Sequence, residues 1–86
     1  MSTVTYLGKR HAEFDLPMEV LGVLMRHAEP TAAEIAHDIE MSHQRRFAAE
    51  EIIDAIHLLL QLGYRVLAHN DLDGVRYELV TGGSAA

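Results

Sequence analysis

The chain contains no cysteine. Disulfides and thiolate-held metal sites are therefore excluded, and redox chemistry says nothing about compartment. Lysine occurs once, at Lys9, and Lys plus Arg number 7 against 13 Asp plus Glu, a formal net charge of −6. That is the wrong sign for a general phosphate binder, because counterion release needs Lys and Arg. Any contact with nucleic acid must come from a local cationic patch. No apolar run approaches the length that spans a bilayer, and the N-terminus lacks the apolar stretch of a secretory signal. The expectation is a soluble cytoplasmic protein with no membrane contact. A glycine-rich phosphate loop is missing as well. The six histidines, His11, His27, His37, His43, His57 and His69, include no pair at the i, i+4 spacing of a helical zinc site. No metal and no cofactor is predicted. Adjacent carboxylates such as Glu50-Glu51 diverge around a helix. The neighbours Ser42-His43 cannot make a nucleophile–base pair with a third orienting group. The sequence does not read as an enzyme.

What is present is enough for one small core. Apolar residues make up 49% of 86 residues, which fits a single, marginally stable domain. Its organising stretch is 31–63, TAAEIAHDIEMSHQRRFAAEEIIDAIHLLLQLG. Thr31 with Glu34 has the spacing of a capping box, and Ile35, Ala36 and Ile39 share a helical face. This helix is expected to end near Glu40-Met41. Ser42 reads as a second N-cap, opening a longer helix with Ala48, Ile52, Ala55, Ile56 and Leu59 on one face. Gly63 stops it as a C′ residue. Two helices joined by so short a turn form a helix-turn-helix.

The flanks complete the order. Residues 1–15 read as an arm or short edge strand, with Val4 and Tyr6 alternating with Thr3 and Thr5 and a basic run Lys9-Arg10-His11. Residues 16–28 predict a first helix, with Asp15 or Leu16 as cap, Pro17 in its first turn, and Val20, Leu21, Leu24 and Ala28 as core stripe. Gly22 inside it implies a closely packed neighbour, and Pro30 pushes Glu29 toward extended backbone. After Gly63 the period changes to two. Tyr64, Val66 and Ala68, then Val75, Tyr77 and Leu79, make two strands around the turn formers Asn70 to Gly74. Residues 81–86 read as a flexible tail. The fold class is α+β, mainly α, with three helices and a C-terminal β-hairpin over 16–80.

With this order and the pieces TAAEIAHDI, Met41-Ser42, LLLQLGYRV and the tip Asp71-Leu72-Asp73-Gly74, the chain resembles the winged helix-turn-helix family of DNA-binding domains. Ala36 stands where the family has a small residue, and Gly63-Tyr64 matches the helix exit into the wing. Glu40 departs from the glycine common in the turn, and 42–63 is about two turns longer than a usual recognition helix. The resemblance implies a sequence-specific regulator that lays the second helix of the motif in the major groove. His43, Gln44, Arg45 and Arg46 would then face base edges, where Arg pairs with guanine and Gln with adenine. Thr31 and Ser42 would meet phosphates at helix N-termini, and Arg65 and Arg76 would bring the wing to the backbone.

Glu50, Glu51 and Asp54 occupy the face of that helix that usually looks at DNA. They leave a second reading open, an acidic protein-interaction module that meets a basic partner instead of double-stranded DNA. Phe47, Ile53, Leu58 and Leu60 exceed what one small domain covers and point to a homodimer interface, which two half-sites would also require.

Overall fold

The computed structural model describes residues 14–81. Three helices, α1 (Leu16–Arg26), α2 (Ala32–His43) and α3 (Ala49–Gln61), precede a two-stranded antiparallel hairpin, β1 (Val66–Asp71) and β2 (Gly74–Leu79). This is the expected α+β, winged-helix-like layout. The arm's Val4 and Tyr6, the run Lys9-Arg10-His11 and the end of the tail fall outside the described residues. No helix among those described is long and apolar enough to cross a membrane.

The helices begin where local chemistry says they should. Asp15 accepts the Met18 N–H at 3.4 Å to open α1, with Pro17 in the first turn. Thr31 and Glu34 form the full capping box of α2. The Thr31 hydroxyl accepts the Glu34 N–H at 3.1 Å, and the Glu34 carboxylate accepts the Thr31 N–H at 2.9 Å. Val20, Val23, Leu24, Ile35, Ile39, Ile52, Ala55, Ile56 and Leu59 interlock as the core, closed on the hairpin side by Val66. Gly63, at φ +105°, turns the chain out of α3 and into β1.

The joint between α2 and α3 differs from expectation. Ser42 is not an N-cap, because α2 runs through it to His43 and ends at Gln44, a residue in the left-handed region at φ +58°. Residues 45–48 are loop, and α3 starts only at Ala49. Glu51 supplies the cap from inside, its carboxylate accepting the Ala48 N–H at 2.8 Å. Ala48 has no side-chain oxygen to reciprocate, so half a capping box forms. The extra length of 42–63 is thus the last turn of α2 plus a loop, not a projecting recognition helix.

Helix α1 ends at Arg26, not Ala28. A methyl group on Gly22 would meet only the flexible end of Arg26, at 3.4 Å, so no neighbouring element presses on it. Glu29 is not extended but sits at φ +48°, with its carbonyl accepting from Arg76 Nη1 at 3.2 Å. The hairpin is also tighter than the sequence implies. Asp71 pairs with Gly74, leaving Leu72-Asp73 as the turn. Asp71 stabilises it by accepting the Asp73 N–H at 2.9 Å, an Asx-turn. The segment entering α2 adds one rung to β2, where Thr31 bridges Arg76 and the Tyr77 N–H donates to the Pro30 carbonyl at 2.9 Å.

Candidate interaction interface

The predicted base-reading residues sit at the C-terminal end of α2 and in the loop, and their side chains are mostly engaged. Ser42 donates to Asp38 at 3.3 Å. His43 Nε2 lies 2.8 Å from Glu19 Oε1 on α1, and its ring stands edge-on to Phe14 at 5.2 Å. These contacts explain the longer α2: the last turn is anchored to α1 through His43, a tertiary effect that caps alone do not reveal. Arg46 pairs with Glu40 at 3.4 Å. Phe14 and Phe47 stack at 5.5 Å, and the Arg45 guanidinium lies 4.4 Å from the Phe14 centroid and 5.8 Å from that of Phe47. A solvent-exposed cation held on half-buried rings in this way gains about 0.5–1 kcal/mol, and Arg45 has no carboxylate partner among the described residues. Gln44 is exposed beside it.

The wing arginines part company. Arg76 is the hub of its own acidic ring, with Asp71 at 3.2 Å, Glu34 and Asp73 at 3.9 Å, and the Glu29 carbonyl. Its charge is neutralised at home. Thr31 is likewise occupied, its N–H and hydroxyl both consumed by the capping box. Arg65 is exposed and pairs with no carboxylate among the described residues. It lines a shallow depression of about 400 Å³ with Leu60, Tyr64 and Leu67.

The outer face of α3 is the opposite case. Glu50, Asp54 and Leu58 follow one another at i, i+4 and i+8, so they form one exposed stripe. Neither Glu50 nor Asp54 has a cationic partner among the described residues. Their like charges at i, i+4 cost roughly 0.2–0.5 kcal/mol, offset in part at Glu50 by the helix dipole. Glu51 is committed to the cap. Beside the stripe, a groove of about 290 Å³ runs between Leu16 and Pro17 of α1 and Glu51, Asp54, Ala55 and Leu58 of α3. It has an apolar floor and a carboxylate rim. Of the expected dimer residues, Phe47 and Ile53 are half-buried against the domain's own core, whereas Leu58 and Leu60 remain 47% and 44% exposed.

A cleft of about 590 Å³ lies between α1, α2 and the wing, lined by residues including Val23, His27, His37, Asp38, Met41 and Arg76. Asp38 organises it, touching Arg26 at 3.4 Å, His27 at 2.8 Å and Ser42. Burial works to raise the Asp38 carboxyl. The His27 hydrogen bond, the charges of Arg26 and His27 and the Ser42 hydroxyl outweigh it, so the group titrates below its usual range. This hub escaped sequence reasoning because Arg26 and His27 lie at the C-terminal end of α1, His27 just past it, and Asp38 lies on α2. The i, i+4 spacing of Asp38 and Ser42 was the only local trace. No family model, curated protein or solved structure matches the chain.

Proposed function

We propose that this domain is a winged-helix protein-interaction module that offers the acidic stripe of α3 and its adjoining groove to a basic partner with an apolar anchor residue. The observation that carries this reading is the outer face of α3. The helix that a DNA reader would turn to the groove carries Glu50, Glu51 and Asp54 and no lysine or arginine at all. At a Debye length of about 10 Å in 0.1 M salt, those carboxylates repel a duplex against which the helix is laid. The same charges attract lysine or arginine, and the groove beside Leu58 receives one apolar side chain. The test is charge reversal. Glu50→Lys with Asp54→Lys should abolish capture of the partner from lysate while leaving the circular dichroism spectrum unchanged. Capture that persists in that double variant overturns the proposal.

Arg45 favours a second reading. Held on Phe14 and Phe47 and with no carboxylate partner among the described residues, it stands near exposed Gln44 in the joint before α3, and Arg65 likewise has no carboxylate partner among those residues. In that reading the chain is a DNA-binding transcription regulator that touches the duplex through this loop and the wing root, and dimerises through Leu58 and Leu60 to span two half-sites. A pool of random labelled duplexes, tested at low salt and at 0.2 M, separates the two. Enrichment of one sequence at the higher salt, lost in Arg45→Ala, supports the regulator; absence of binding even at low salt supports the protein module.

A further inference from the structure

The hairpin and the α1–α2 turn bring together three metal-ligating side chains that are far apart in sequence. β2 alternation puts Arg76 and Glu78 on one face, and the register sets His69 directly across from Arg76. His69 Nε2 and Glu78 Oε1 are 2.8 Å apart. Glu29 arrives from the turn before α2, where Arg76 holds its carbonyl at 3.2 Å and so fixes the turn over the strands. One ligand atom from each of Glu29, His69 and Glu78 lies within 4.8 Å of the other two.

From this convergence we propose a divalent transition-metal site, with Zn²⁺ the ion it fits, ligated by Glu29, His69 and Glu78. The donor set is one imidazole nitrogen and two carboxylate oxygens. Imidazole selects zinc-like ions over Ca²⁺ and Mg²⁺, which take oxygen ligands. A neutral imidazole with two carboxylates carries the −2 that balances the ion. A tetrahedral ion with ligands at about 2.0–2.1 Å sets those ligands about 3.3 Å apart. The His69–Glu78 pair therefore opens by about half an ångström and the wider separations close, movements within the reach of partly exposed side chains. A fourth position stays open to water. Bound there, the ion ties the wing to the turn between the first two helices, adding to the Thr31–Arg76 bridge and the Arg76 bond to the Glu29 carbonyl. The inference stands whether the partner is protein or DNA.

The test uses untagged protein stripped with a chelator and dialysed into a non-coordinating buffer. Titration with ZnCl₂ by calorimetry should give saturable uptake of one ion per chain and a rise in melting temperature. His69→Ala should weaken uptake by more than the roughly 100-fold reached by changes in groups that merely orient ligands. Glu29→Gln, altering an exposed turn side chain, should weaken it as well, and His37→Ala, on α2 and outside the ligand cluster, should leave it unchanged. Co²⁺ added to ¹⁵N-labelled protein should broaden amide signals around residues 29, 69 and 78 first. No saturable uptake overturns the site. So does uptake that is undiminished in both His69→Ala and Glu29→Gln, or broadening centred elsewhere.

Discussion

The wing side and the α3 side of this domain treat charge in opposite ways. Around the wing, Arg76 is ringed by Glu34, Asp71 and Asp73, and across the neighbouring cleft Asp38 gathers Arg26 and His27. There the charges meet each other and hold elements together. On α3, Glu50 and Asp54 face solvent with no counter-charge among the described residues. Internally matched charge serves the fold, whereas unmatched charge of one sign on a rigid helix is available to something outside it. The contrast teaches that a residue type at a familiar motif position does not fix a role. Arg76 sits where a wing arginine would reach DNA, yet its own neighbours have taken it.

The strongest way to break the comparison is to remove the frame both sides share. Leu59→Ala, at a fully buried α3 position, should cost about 2–5 kcal/mol. That is a large share of the roughly 5–15 kcal/mol that holds a domain folded, and urea denaturation should show the loss directly. Next comes the joint between α2 and the wing. Thr31→Ala removes half of the capping box and should cost about 1 kcal/mol, with the transition midpoint falling and its slope unchanged.

The matched side can also be probed through pH. The folded Asp38 carboxyl lies below its usual value, so its contribution is present above about pH 3.9 and is lost as pH falls through the folded value. Asp38→Asn should therefore destabilise the domain at neutral pH and make the remaining stability less steep in acid. A variant with the wild-type acid dependence would remove Asp38 from the hub role. Gly22→Ala should raise stability by roughly 0.5–1 kcal/mol, because helix propensity improves and the new methyl group meets only a movable side chain. The smallest effect belongs to the unmatched side. Asp54→Lys should change stability by no more than about 0.5 kcal/mol, and any shift should fade in 0.5 M salt, since exposed charges are screened.

What the sequence made legible was what local chemistry decides. The Asp15 and Thr31 caps, the stop at Gly63, the core stripe through Ile52, Ile56 and Leu59, and the period-two hairpin all depend on residues within a few positions of each other. What it hid depends on contacts across the chain. Ser42 has the side chain of a helix opener but lies in the last turn of a helix, because His43 reaches Glu19 and α2 runs on through His43 past the expected end at Glu40-Met41. Glu51 opens α3 from its third position, a signal that Ala48 disguised by having no hydroxyl. On the candidate surface, the carboxylates of α3 were visible as an acidic face, and that Glu50 and Asp54 have no partner among the described residues emerged only from the placement of the other charges. The convergence of Glu29, His69 and Glu78 had no sequence trace at all, since neither helical nor strand spacing links residue 29 to the hairpin.

The Arg76 hub also bears on the order in which the chain assembles. The hairpin closes over the Leu72-Asp73 turn alone, and such local ladders form within about 1–10 μs. Docking it on Glu34 and the Glu29 carbonyl joins positions more than forty residues apart, a loop whose closure entropy grows only as the logarithm of its length. Arg76 can make its bonds to Asp71 and Asp73 before that docking and the rest only after it. The wing is therefore expected to form early and to seat late, with one side chain recording both events.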